Sequence, residues 1–94
     1  EIELTYKDSN INSNLVITNK SSTDRCLTLK WDSSIFHLDT NNIDFISSVK
    51  DQDNYINEIK FNIKANSNVN YTFYKVNFNE IYDETAFSIE EDTC

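Results

Sequence analysis

The chain has 94 residues, enough for one small domain and too few for a second core. Sixteen acidic residues against eight basic ones leave a net charge of −8, which argues against nucleic acid and anionic membrane as partners. With Gly 0, the phosphate-binding loop, the dinucleotide fingerprint, the EF-hand loop and the nucleophile elbow are all excluded, because each needs glycine at a fixed position.

Period-two alternation is the dominant pattern from the start of the chain. Ile2, Leu4 and Tyr6 alternate with Glu3, Thr5 and Lys7, as in a strand with one wet face. Leu15-Val16-Ile17 is apolar on both parities and predicts a central strand. Leu27, Leu29 and Trp31 alternate with Thr28 and Lys30, and apolar groups over 35–38 and 43–49 predict two further strands. The cleanest block is 58–64, where Ile59, Phe61 and Ile63 oppose Glu58, Lys60, Asn62 and Lys64. Segments 71–78 and 85–89 complete a set of seven to eight strands. The separators at 8–10, 19–24, 41–42, 51–54 and 66–70 are rich in Asn, Asp and Ser. Asn and Asp tolerate left-handed backbone and make local side-chain turns, so they stand in for glycine. Helical periodicity is brief and best over 79–85. Strands at this spacing, without alternating helices, predict an antiparallel sandwich or barrel.

Cys26 and Cys94 lie too far apart for a CxxC motif. A disulfide, two free thiols and bridges to parts of a parent protein remain open, and the disulfide is the favoured reading. Such a bridge adds roughly 4 kcal/mol by loop-closure theory and implies an oxidising compartment. The bias toward Asn, Ile, Lys, Phe and Tyr is what an AT-rich genome imposes, and Met 0 suggests a domain excised from a larger protein, without a signal peptide or anchor of its own. Asn19-Lys20-Ser21 and Asn70-Tyr71-Thr72 are N-glycosylation sequons, of a kind that arises readily by chance in so Asn-rich a chain.

Enzymatic chemistry has little support. His37 is the single histidine and its parity points it to solvent; Ser33, Ser34 and Asp39 lie nearby without an evident oxyanion cradle. No catalytic residue, cofactor or metal is expected. Oxygen ligands for calcium are available at 51–54 and Asp83-Glu84, but 51–54 reads as a polar hairpin loop. Segment 76–94 carries Glu80, Asp83, Glu84, Glu90, Glu91 and Asp92 and no base, either a solvated edge or a patch for a basic partner. The aromatic residues Tyr55, Tyr71, Phe73 and Tyr82 are the candidate partner-binding set. In 71–78 both parities carry aromatic side chains, so Tyr71 and Phe73 either form an exposed patch or cover the flank of the sandwich.

The order Leu15-Val16-Ile17-Thr18-Asn19-Lys20-Ser21, Leu27-Thr28-Leu29-Lys30-Trp31, Phe36-His37-Leu38, Glu58-Ile59-Lys60-Phe61-Asn62-Ile63 and 71–76 resembles immunoglobulin-like sandwiches. Its rhythm is similar to major-sperm-protein-like domains, without their Pro and Gly turns. Cys26 precedes Trp31 by only five residues and has the opposite parity, unlike the buried intersheet bridge of antibody-type domains. The resemblance implies an all-β, antiparallel immunoglobulin-like β-sandwich that binds a protein through loops and one sheet face, with no direct insertion into membrane. Its setting would be a surface or secreted protein, in adhesion, receptor binding, or the invasion or membrane-fusion machinery of an AT-rich parasite. The alternative is an intracellular major-sperm-protein-like scaffold with both thiols reduced.

Overall fold

Alternation in the sequence becomes alternation in burial. The computed structural model describes residues 1–94 as two four-stranded sheets, every pairing within them antiparallel. The strands are β1 (Ile2–Lys7), β2 (Asn12–Asn19), β3 (Arg25–Trp31), β4 (Phe36–Leu38), β5 (Ser47–Lys50), β6 (Ile56–Ile63), β7 (Ser67–Lys75) and β8 (Phe87–Glu91). One sheet has the order β1-β2-β7-β4 and the other β5-β6-β3-β8. The chain is thus an all-β antiparallel sandwich.

The core lies between the sheets. Leu15 and Ile17 of β2 and Tyr71 and Phe73 of β7 face Leu27, Leu29 and Trp31 of β3 and Ile59, Phe61 and Ile63 of β6. At one end Phe36 sits among Tyr6, Phe73, Tyr82 and Phe87, with ring centroids 4.9–5.9 Å apart. Large rings recover buried area that a chain with so few aliphatic residues would otherwise lack. The inward row of β2 is polar at both ends: Ser13 and Asn19 are as deeply buried as the Leu15 and Ile17 they bracket.

Three elements differ from expectation. Strand β5 covers only Ser47–Lys50, because Ile43 and Phe45 leave the sheet to pack against the core, and a bulge interrupts its pairing at Val49/Lys50. Strand β7 begins earlier and stops at Lys75, so 76–78 is loop rather than strand. Segment 79–85 holds no α-helix; a single 3₁₀ turn, Glu84–Ala86, forms where the Asp83 carboxylate accepts the Thr85 amide.

Asn42, Asn54 and Asn66 take positive φ of 60°, 71° and 55°, the left-handed turn positions where glycine is usual. Replacing Asn66 by Ala should therefore cost about 1 kcal/mol in urea unfolding, whereas Asn66→Gly should stay within about 0.5 kcal/mol of the parent. Equal losses for the two would show that the turn does not depend on backbone handedness.

Candidate interaction surface

Consecutive strands reverse direction, so the connections 8–11, 32–35, 51–55 and 76–86 gather at one end of the sandwich. Backbone bonds join them: Lys75 N–H donates to the Ile11 carbonyl at 3.0 Å and Val76 N–H to the Ile35 carbonyl at 2.9 Å. The Ser33 hydroxyl donates to the Asp51 carboxylate, linking two more of the loops.

An ion pair lies beneath this end. Lys75 shares the inward parity of Tyr71 and Phe73, and its side chain is 1% exposed. Its Nζ meets Asp8 Oδ2 at 3.0 Å and Oδ1 at 3.3 Å, donates to the Glu80 carbonyl, and lies 5.9 Å from the centre of the Tyr82 ring. The Tyr6 hydroxyl donates to Asp8 Oδ1 at 2.6 Å and receives the Ser13 hydroxyl at 2.8 Å. Burial pushes the Asp8 carboxyl upward, but the hydrogen bonds from Tyr6 and Lys75 and the Lys75 charge outweigh it and hold Asp8 below the usual carboxylate range. Burial, and then Asp8, push the Tyr6 hydroxyl well above its ordinary value.

Above this network the surface is apolar. Ile11 is 64% exposed, Val76 51%, Phe78 59% and Ile81 83%. Two open cavities flank them. One, of about 450 Å³, is lined by Ile35, Ile81, Tyr82, Asp83, Thr85 and Ala86. The other, of about 370 Å³, includes Ser33, His37, Asp51, Asp53, Tyr55 and Val76. In the second, His37 lies flat on Tyr55, ring centroids 4.0 Å apart, while Asp51 takes the Ser33 hydroxyl and the amides of Asp53 and Tyr55. Those bonds, from Ser33 foremost, hold Asp51 low. The Ser33 hydroxyl is thus directed to Asp51, and the His37 ring is held by stacking on Tyr55. No three His, Cys, Asp or Glu side chains converge on a common point.

The candidate partner-binding aromatics divide. Tyr55 is half exposed at the loop end, and Tyr82 is half-buried between Phe36 and Lys75. Tyr71 and Phe73 are core residues, which corrects the expectation of an exposed patch there. Leu15 pairs with Tyr71 and Ser13 with Phe73, so the inward row of β2 carries both rings into the core. The outward parity of β7 brings Tyr74 to the surface, and Val76 and Phe78 of the following loop are exposed as well. Ile11 and Ile81 escape sequence reasoning; their one signal is an isolated aliphatic residue inside a polar turn.

The acidic stretch divides too. Glu90 meets Lys30 and Asp92 meets Lys60, each at 3.5 Å, on the outer side of the second sheet, while Glu91, which has the parity of Phe87 and Ile89, meets Arg25 at 2.9 Å. Glu80, Asp83 and Glu84 have no ion-pair partner and flank Ile81 in sequence.

Cys26 points outward from β3 and is bonded to Cys94, three residues beyond β8, with Cα atoms 5.7 Å apart. The bridge ties the chain end to the outside of the sheet. Of the two sequons, Asn70 is exposed on β7, whereas Asn19 is fully buried. Asn19 Nδ2 donates to the carbonyls of Thr23, Ile63 and Lys64, and its Oδ1 accepts from Ser21. No glycan fits on that nitrogen in the folded domain, which corrects Asn19 as a glycosylation candidate.

No family model, curated protein or solved structure matches the chain.

Removing one partner of a buried ion pair strands the other charge, so Asp8→Ala should destabilise the domain by about 3 kcal/mol. Lys75→Met, which keeps the volume and leaves Asp8 near solvent, should cost less, and adding it to Asp8→Ala should restore part of the loss. Because Asp8 is depressed on folding, its contribution is complete above the unfolded carboxylate value near 3.9 and fades as pH falls through the lower folded value. Urea unfolding of parent and Asp8→Asn should accordingly converge as pH is lowered below about 4; a constant difference would show that Asp8 is not the titrating partner.

Proposed function

We propose that this chain is a non-catalytic, immunoglobulin-like interaction domain of a larger secreted or cell-surface protein, in adhesion, receptor binding, or invasion or membrane-fusion machinery. Its partner is a protein and its contact surface is the loop end. The observation that carries this is the exposure of Phe78 and Ile81 on a loop fixed from below by Lys75. Exposed aromatic and aliphatic side chains on a pinned loop lose little conformational entropy on binding, and such groups anchor protein interfaces. Tyr55 and Tyr82 border the same end, each with an apolar ring and a polar tip. The Cys26–Cys94 bridge supports an oxidising compartment, since thiols stay reduced in the cytosol.

Expressed with an epitope tag in its own cells, the domain should be labelled on intact cells, with Cys26 and Cys94 resistant to alkylation until reduced. Labelling only after permeabilisation, together with two freely alkylated thiols, would place the domain inside the cell and overturn the extracellular reading.

A further inference from the structure

We infer that the occupant of the loop end is a cationic, apolar-bearing polypeptide segment: an apolar side chain seated beside Ile81 with Lys or Arg on either side of it. The inference rests on the reading of this end as the contact surface and specifies the chemistry of what it takes. The cavity beside Ile81, about 450 Å³, has walls from Ile35, Tyr82 and Ala86, room for one aliphatic or aromatic side chain. Its rim is acidic: Asp83 lines it, and Glu80 and Glu84 are exposed next to it in sequence. Asp53 is exposed in the second cavity of the same loop end.

These charges are uncompensated in the free domain. Every other acidic side chain of the 76–94 stretch has a cation partner, whereas Lys75, which reaches the Glu80 carbonyl, is buried and taken by Asp8, and Lys7 and Lys50, which end β1 and β5 at this end, form no ion pair with Glu80, Asp83 or Glu84. A partner that brings its own cations supplies what the domain lacks, and like-charge repulsion disfavours an acidic one. An anionic membrane is disfavoured by the same field.

The test uses the oxidised 94-residue chain, ¹⁵N-labelled, and three synthetic peptides of about 12 residues that share the same Leu and Phe positions and differ only in flanking Lys, Ser or Glu. The lysine peptide should shift the amides of Ile11, Val76, Phe78 and Ile81 and bind at least about tenfold more tightly than the serine peptide, an advantage lost in about 0.5 M NaCl. E80Q/D83N/E84Q should reduce it to the serine-peptide level; the amide that D83N introduces keeps a capping acceptor, so the 3₁₀ turn survives. F78S/I81S alters only exposed side chains and should weaken all binding about tenfold with the core resonances unmoved. If F78S/I81S weakens binding but lysine and serine peptides bind equally, the cationic partner is overturned and the loop end stands as the contact surface. If F78S/I81S binds as the parent does, or the shifts fall on 88–92, both readings are overturned. No shift by the lysine peptide at about 1 mM overturns the inference, and shifts by neutral phosphatidylcholine vesicles in place of the peptide overturn it in favour of a lipid surface.

Discussion

A buried ammonium group at the end of one strand sets the form of the whole loop end. Strand parity has period two, so Tyr71, Phe73 and Lys75 go inward together, and Lys75 cannot turn out without expelling two core rings. Desolvating a lysine is costly, and the surrounding chain must offset it with partners. Asp8 arrives from the β1–β2 connection and the Glu80 carbonyl from the β7–β8 connection, so both loops are drawn over the same nitrogen. Tyr82 is brought over Lys75 and against Phe36, and Ile81, its neighbour in sequence, is left outward. The exposed apolar surface follows from the buried charge.

An apolar residue at 75 with a matching change at 8 would suit the core as well or better in free energy, since buried ion pairs seldom add net stability. What the pair supplies is a unique path for residues 76–83. Asn19 does the same at the opposite end of β2, where its amide binds carbonyls of the β2–β3 and β6–β7 connections. The loops themselves are held by a repeated local device. Asn19, Asp32, Asp39, Asp51, Asn77 and Asp83 each accept the backbone amide two residues on. A chain without glycine or proline thus makes its turns with side-chain acceptors, and part of its heavy Asn and Asp content is structural rather than a sign of metal or substrate binding.

Strands are legible where one parity is apolar and the other polar or charged, as over 2–7, 27–31 and 58–63. The outward direction of Cys26 can be read from the same parity. In 71–78 both parities are aromatic, and only the register against Leu15 and Ser13 decides that Tyr71 and Phe73 are inside. Asn19 looks like a turn residue with a sequon because nothing local marks a buried amide; its carbonyl partners include residues 44 and 45 positions away. The same distance problem hides the pairing of Glu90, Glu91 and Asp92. Their cations sit on neighbouring strands, so the run reads as one acidic patch when half of it is neutralised.

That division gives the domain two unlike regions. Exposed ion pairs contribute little stability each, about 0–1 kcal/mol, so the pairs at and just beyond β8 are better understood as neutralising charge around that strand and marking the register of β8 on β3. Near it the Cys26–Cys94 bridge fastens the last residues of the chain, leaving that region covalently closed and electrically balanced. The loop end has neither device. Its acidic groups at 80, 83 and 84 lack ion-pair partners and its apolar groups are uncovered, yet its backbone is fixed by a buried charge network. A chain with no partner would lose little core by carrying polar side chains at 78 and 81, since Phe78 and Ile81 lie in the β7–β8 connection outside the core cluster. On the proposed reading, a partner covers Phe78 and Ile81 and brings the cations that Glu80, Asp83 and Glu84 lack.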